Sequence, residues 1–267
     1  MSEDSAVKFG ICTDLSKVGV LKAMGWDFIE VNAQQFFQGM ASDDTFIGLK
    51  ALQASPLPVA AANCLVPGDM KLVGPAVDWA KLEQYMARVC ARAGEAGVGV
   101  LVLGSGAARR VPDGFSAAEA RHQITRFGQM AASAAARHRV VVVLEPLCRR
   151  ECNIVNSVTE ALSYVQSVNH PHFQCLLDTY HFWMENESVD HLSAAAPWIK
   201  HVHVADLQGR VAPGRSGQAD YRRLFGVLKQ AGYCGRISVE ASFEDVAESG
   251  AAVLAFLKEQ WREGQGG

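Results

Sequence analysis

The sequence holds no run of the roughly 18 consecutive apolar residues that a membrane-spanning helix requires, so no membrane partner is expected. It lacks an excess of charge of either sign. Against 25 Lys and Arg stand 28 Asp and Glu, and the formal net charge of −3 provides no field to draw in nucleic acid or an anionic membrane. The first ten residues, MSEDSAVKFG, lack the basic stretch and apolar core of a secretory leader. Seven cysteines, at Cys12, Cys64, Cys90, Cys148, Cys152, Cys175 and Cys234, include no CxxC pair and are odd in number. A disulfide framework is therefore not indicated, and a reduced cytoplasm is the expected compartment. No GxGxxG follows the first strand-like segment, which removes the usual dinucleotide fingerprint. No segment has the composition of an interdomain linker. The richest loop, GRVAPGRSG at Gly209 to Gly217, is too short for that task, so residues 1–267 are read as one domain.

What is present is an alternation. Short apolar, β-branched runs occur at Val7 to Cys12, Phe28 to Asn32, Val59 to Cys64, Val100 to Gly104, Val140 to Glu145, Cys175 to Asp178, Ile199 to Val204 and Ile237 to Glu240. They are continuous rather than alternating, as expected for strands covered on both faces. Segments of helical character separate them, among them Trp79 to Gly94, Ala117 to Arg137, Val158 to Val168 and Tyr221 to Ala231. A βα unit about every 30 residues, eight times over, predicts an α/β fold of the (β/α)8 TIM-barrel type, with a doubly wound open sheet as the structural rival.

Four of these runs end on a group that can bind a metal: VVVLE at Glu145, CLLD at Asp178, KHVH at His203 and ISVE at Glu240. A single charged residue where a strand meets water means little. Three carboxylates and one imidazole at one end of a barrel, where catalytic groups gather, describe a site for one divalent ion. The oxygen-rich set suits Mn²⁺ first, with Mg²⁺ or Co²⁺ as substitutes. His201 and His203 lie two apart on one strand and share a face, and His203, nearer the strand end, is the expected ligand.

The ordered segments LEPLCRRECNIVN (Leu144 to Asn156), LLDTYHF (Leu176 to Phe182), HVHVADLQGR and ISVE resemble the xylose-isomerase-like barrel superfamily. Within it they are most similar to D-tagatose and D-psicose 3-epimerases and hydroxypyruvate isomerase. The resemblance spans about Val7 to Leu257. It implies that Glu145, Asp178, His203 and Glu240 hold the metal, that Glu145 and Glu240 form the catalytic proton-transfer pair, and that Glu151, His181 and Arg210 contact substrate oxygens. It also implies a small-molecule carbohydrate substrate, with dimers or tetramers known among such proteins. The usual EPLNR reads EPLCR, with Cys148 in place of asparagine. Apurinic endonucleases of the same superfamily use additional histidines, whereas the earlier strand ends here offer Cys12, Asn32 and Cys64.

Inversion of a carbon next to a ketone and transfer of the carbonyl to a neighbouring carbon share one enediolate, and the ligand set alone does not separate them. The expected activity is that of a metal-dependent ketose 3-epimerase; the alternatives are hydroxypyruvate isomerase and a sugar lyase or dehydratase. Several residues keep a plainer reading beside the functional one. Asp178 fits a helix N-cap, His181 a buried structural histidine, and Glu151 with Arg149 a surface ion pair. Gly104-Ser105-Gly106 followed by Arg109 and Arg110 fits either a phosphate cradle or a tight turn. Phe36, Phe37, Phe182 and Trp183 fit either a wall over the substrate or ordinary packing.

Overall fold

A computed structural model describes residues 7–42, 46, 48–217 and 219–264. Eight parallel strands close into a barrel in sequence order, which settles the choice against an open sheet. They are β1 (Lys8–Cys12), β2 (Phe28–Asn32), β3 (Val59–Asn63), β4 (Val100–Leu103), β5 (Val141–Leu144), β6 (Phe173–Asp178), β7 (Ile199–Val204) and β8 (Arg236–Val239). The helices are α1 (Val18–Ala23), α2 (Ala33–Phe37), α3 (Gly48–Gln53), α4 (Trp79–Glu95), α5 (Gly106–Arg109), α6 (Ala117–Ala136), α7 (Val158–Val168), α8 (Thr179–Met184), α9 (Val189–Ala195), α10 (Tyr221–Gln230) and α11 (Val246–Glu263). The long ones start where the sequence places a capping side chain: Asp78 accepts from Lys81 N–H, Ser116 from Glu119 N–H and Ser157 from Glu160 N–H. Among the described residues no helix is long and apolar enough to cross a membrane.

The period of two along each strand sorts side chains to the two faces of the wall. Outward residues such as Ile29, Val31, Leu101, Leu103, Val142, Leu144, Val202 and Val239 join the large core under the helices. Inward ones form a small separate cluster of Ala61, Val100, Val102, Val143 and Leu176. Phe28 also fills the interior, and a Cβ on Gly10 would overlap its ring, so only glycine fits beside it. Above this apolar plug the inward positions turn polar: Glu30 on β2, His201 and His203 on β7, and Ser238 on β8, all fully buried. Burying a charged layer is costly unless each member is paired. That requirement organises the C-terminal rim.

Candidate active site

Glu145 and Glu240 lie one residue past the ends of β5 and β8, and Asp178 and His203 lie within β6 and β7. The ladder continues past both strand ends. Glu145 N–H donates to Leu103 O at 3.2 Å and Glu240 N–H to Val204 O at 3.1 Å, while Asp178 and His203 are register partners. One donor atom from each of the four side chains lies within 4.8 Å of every other. His203 Nδ1 faces this group, 3.2 Å from Glu145 Oε1, 3.5 Å from Glu240 Oε2 and 3.9 Å from Asp178 Oδ2.

The opposite face of the imidazole explains that orientation. Glu30 is completely buried and bridges both histidines, accepting from His203 Nε2 at 2.9 Å and from His201 Nε2 at 2.7 Å. Glu30 engages the Nε2 hydrogen of His203 and so turns Nδ1 toward the three carboxylates, where a bound ion would take the place of the Nδ1 proton, the arrangement by which a supporting carboxylate orients a metal-binding histidine. Sequence reasoning missed Glu30. The signal was there, as a charged residue in the middle of the apolar strand FIEVN, which a buried strand does not carry without a partner.

The electrostatics call for a cation. Burial pushes the Asp178 carboxyl up to about 8, reinforced by Glu145 and Glu240. Burial also pushes Glu240 up, but His203 and then Arg210 outweigh it and hold it down to about 2. For His203, burial alone would lower the imidazole; Glu30 and then Glu240 reverse this and raise it well above its ordinary value. Three gathered carboxylates thus stabilise positive charge at their centre. The donor set, its inward Nδ1 and its demand for a cation fit one oxygen-preferring divalent ion held by Glu145, Asp178, His203 and Glu240.

Asp178 satisfies both of its readings, one with each oxygen. Oδ1 caps α8, accepting from Tyr180 N–H at 2.7 Å and His181 N–H at 3.2 Å, and Oδ2 turns toward His203. Glu240 Oε1 accepts from Asn63 Nδ2 at 2.9 Å, a partner absent from the sequence reading. Glu145 Oε2 lies against Gly104, where a Cβ would overlap it. Gly104 therefore provides room for the carboxylate. The phosphate reading of this loop fails: Arg109 is buried and donates to Leu103 O and Glu145 O, and Arg110 donates to Glu151 O.

A cavity of about 330 Å³ opens beside the four candidate ligands, lined by Glu145, Glu240, Glu151, His181, Arg210, Gln34 and Asn63 among others. His181 Nδ1 accepts from Cys148 N–H at 3.1 Å, which places its hydrogen on Nε2. That Nε2 is buried and makes no hydrogen bond among the described residues, with Glu151 Oε2 3.9 Å away, so it is a donor available to a ligand. Burial holds the ring down to about 4 and hence neutral. Arg210 reaches Glu240 Oε2 at 2.5 Å, Asp178 Oδ2 at 3.5 Å and Glu151 Oε1 at 3.3 Å, with its guanidinium over the Tyr180 ring. Arg149 pairs with Glu185 instead of Glu151. The Arg210 loop is anchored by buried Asp206, which accepts from Gly214 N–H, Ser216 N–H and Tyr221 OH. The aromatics expected as a wall pack elsewhere: Phe37 and Phe182 are buried in the core, Phe36 packs against it, and Trp183 sits edge-on to Tyr221.

A family model described as xylose isomerase-like TIM barrel matches residues 18–260. The chain is similar to a 3-dehydro-D-guloside 4-epimerase of Escherichia coli K12, 34% identical over 127 residues that cover 46% of this chain and 48% of the relative. A mouse protein described as a putative hydroxypyruvate isomerase is 28% identical over 162 residues, covering 58% of this chain and 57% of that one. These matches span about half the length of the curated relatives. Among solved structures, a D-psicose 3-epimerase of Clostridium cellulolyticum H10, crystallised with D-tagatose, superposes with a TM-score of 0.83 at 18% identity, covering 96% of this chain and 99% of that one.

Proposed function

The chain belongs to the xylose isomerase-like TIM barrel family, and from that premise we propose that it is a metal-dependent isomerase that epimerises a ketose, in the manner of a 3-epimerase, by proton transfer between Glu145 and Glu240. The observation that carries this reading is the convergence of the two glutamates on one buried His203 Nδ1 at the edge of a sugar-sized cavity. Bound among Glu145, Asp178, His203 and Glu240, a divalent ion would supply Lewis acidity that lowers the barrier to removing a proton next to a ketone. Mn²⁺ is the expected ion, with Mg²⁺ or Co²⁺ able to substitute.

The remaining steps belong to the chain's own groups. Glu240 is ionised, and Asn63 fixes one of its oxygens, so it is poised to take a proton from carbon. Glu145 enters from β5 with Oε2 seated against Gly104 and returns a proton to the opposite face. Removal on one face and return on the other inverts the carbon. His181 Nε2–H donates to a substrate oxygen, and Arg210 and Glu151 close the outer wall of the cavity. The related 4-epimerase name describes inversion next to a ketone as well, so the same two-glutamate scheme serves either position of the carbonyl.

The second reading, hydroxypyruvate isomerase, draws on the mouse relative. A carboxylate substrate needs cationic groups, and the one guanidinium among the described residues that line the cavity is already shared by Glu240, Asp178 and Glu151. A reduced cytoplasm is the compartment this reading proposes.

The test is hydrogen exchange followed by NMR. The protein is incubated with Mn²⁺ in D₂O with a panel of ketoses, 3-keto-glycosides and hydroxypyruvate, beside Glu240→Gln. Deuterium entering the carbon next to a sugar ketone, and lost in the variant, is the expected result. Exchange with hydroxypyruvate alone promotes the second reading, and exchange with no member of the panel overturns both.

A further inference from the structure

The proposed metal centre has a softer neighbour that its assignment leaves unused. Cys12 ends β1 at the level of the rim, in register with Glu30 on β2. Its Sγ, one nitrogen of His203 and one oxygen of Glu240 all lie within 4.8 Å of one another. Of the two His203 nitrogens, Nδ1 lies 3.5 Å from Glu240 Oε2 while Nε2 is engaged by Glu30 at 2.9 Å, so Nδ1 is the one open to an ion. Cys12 is partly exposed and lines a cavity of about 410 Å³ with Thr13, Lys17 and Phe243, whose lining shares no residue with that of the cavity bounded by Glu151 and His181.

We propose that Cys12, His203 and Glu240 form a second, thiolate-containing metal site that overlaps the oxygen-rich one, so that a thiophilic divalent ion such as Cd²⁺ or Zn²⁺ is captured there and displaces the catalytic ion. This rests on the reading of Glu145, Asp178, His203 and Glu240 as the primary ligands. The two donor sets share His203 Nδ1 and the Glu240 carboxylate, which excludes simultaneous occupancy. They differ in the remaining ligands, two carboxylates in one and a thiol in the other, and ligand softness decides which ion prefers which set. Mn²⁺ and Mg²⁺ gain nothing from sulfur. Cd²⁺ and Zn²⁺ form strong thiolate bonds: the Cys12 S–H bond breaks, its proton passes to water and the sulfur lone pair binds the ion, with no change of oxidation state. Capture would also remove Glu240 from proton transfer.

The alternative cluster of Cys148, Glu151 and His181 has similar proximity but the wrong tautomer. His181 Nδ1 accepts from Cys148 N–H, so Nε2 carries its hydrogen and offers no lone pair. His203 differs: Glu30 engages its Nε2–H, so loss of the Nδ1 proton leaves a neutral imidazole with its lone pair turned to the ion.

The test uses the full chain loaded with Mn²⁺ and titrated with Cd²⁺. Release of Mn²⁺ is read from the paramagnetic resonance of the free aquo ion, and thiolate binding from the sulfur-to-cadmium charge-transfer absorption. In the parent protein both signals are expected to rise together. Cys12→Ser should lose the absorption that accompanies Mn²⁺ release and need roughly tenfold or more Cd²⁺ to displace the ion, while Cys64→Ser behaves as the parent. Mn²⁺ release at the same Cd²⁺ concentration in Cys12→Ser, with absorption unchanged, overturns the overlapping site and leaves the primary site intact. A Cys12-dependent absorption in a protein that binds no Mn²⁺ keeps the thiolate site and removes the oxygen-rich one. Failure of both signals removes both.

Discussion

The two halves of the barrel rim differ in kind. Strands β1 to β3 end on Cys12, Asn32 and Asn63 and β4 is followed by Gly104, none of them charged, whereas β5 to β8 deliver Glu145, Asp178, His203 and Glu240. The first half nevertheless sets the second in place: Glu30 fixes the His203 ring, Asn63 holds one oxygen of Glu240, Arg109 binds the Glu145 carbonyl, and Gly104 leaves space for its carboxylate. One half carries the candidate ligands and the other sets their geometry. Orientation of charge within a buried site is worth as much as the charge itself, because misplacement by a fraction of an ångström is not repaired by solvent.

Substitutions in the charged half should have the largest effect. Glu145→Gln, like Glu240→Gln, removes one of the two proton-transfer groups without changing size, and the exchange rate in D₂O should fall about 10²- to 10⁴-fold. The neutral half can be tested with a single methyl group. Gly104→Ala puts a Cβ where Glu145 Oε2 lies, and a displaced carboxylate should cost on the order of 100-fold in exchange while the thermal midpoint moves far less. If Gly104→Ala is as active as the parent, the division of labour between the halves is wrong. Glu30→Gln turns one of two acceptors into a donor against His201 or His203, and Mn²⁺ affinity should weaken roughly 10- to 100-fold in a resonance titration. Unchanged affinity would mean that Nδ1 is oriented by something other than Glu30.

This asymmetry also decides how much could be read in advance. The barrel was legible because each strand is an apolar run buried on both faces and each long helix has its cap; expected and observed boundaries differ by no more than two residues for the helices named. The four strand-end groups were legible because a charged residue at the end of an apolar run is conspicuous. Glu30 and Asn63 were not, because their meaning lies in contacts across the barrel, 173 and 177 residues away in sequence. Gly104 was visible as a glycine but misleading as to purpose. Its neighbours Arg109 and Arg110 suggested an anion, and only the fold shows both guanidiniums turned onto carbonyl oxygens. Asp206 escaped notice because nothing in HVHVADLQGR distinguishes a loop anchor from a solvated aspartate.

The smallest expected effect asks whether the cost of gathering acids extends beyond the rim of the charged half. Glu187 follows α8 and accepts from Val158 N–H at 2.8 Å, where α7 begins. Burial pushes its carboxyl up to about 7; that hydrogen bond opposes the shift and Glu185 adds to it. In the unfolded chain the group returns to about 4.5. The folded value is the higher of the two, so the folded protein retains a proton that the unfolded chain has already released between those limits. The resulting stabilisation is fully present below about pH 4.5 and is lost as pH rises through about 7. Thermal midpoints measured across this window should therefore decline with pH more in the parent than in Glu187→Gln, whose amide does not titrate, by roughly 2 °C or more between the two ends. A parent-minus-variant difference that is flat with pH would confine the cost of buried acid to the four strand ends, whereas a slope would show that it reaches the turn that positions α7.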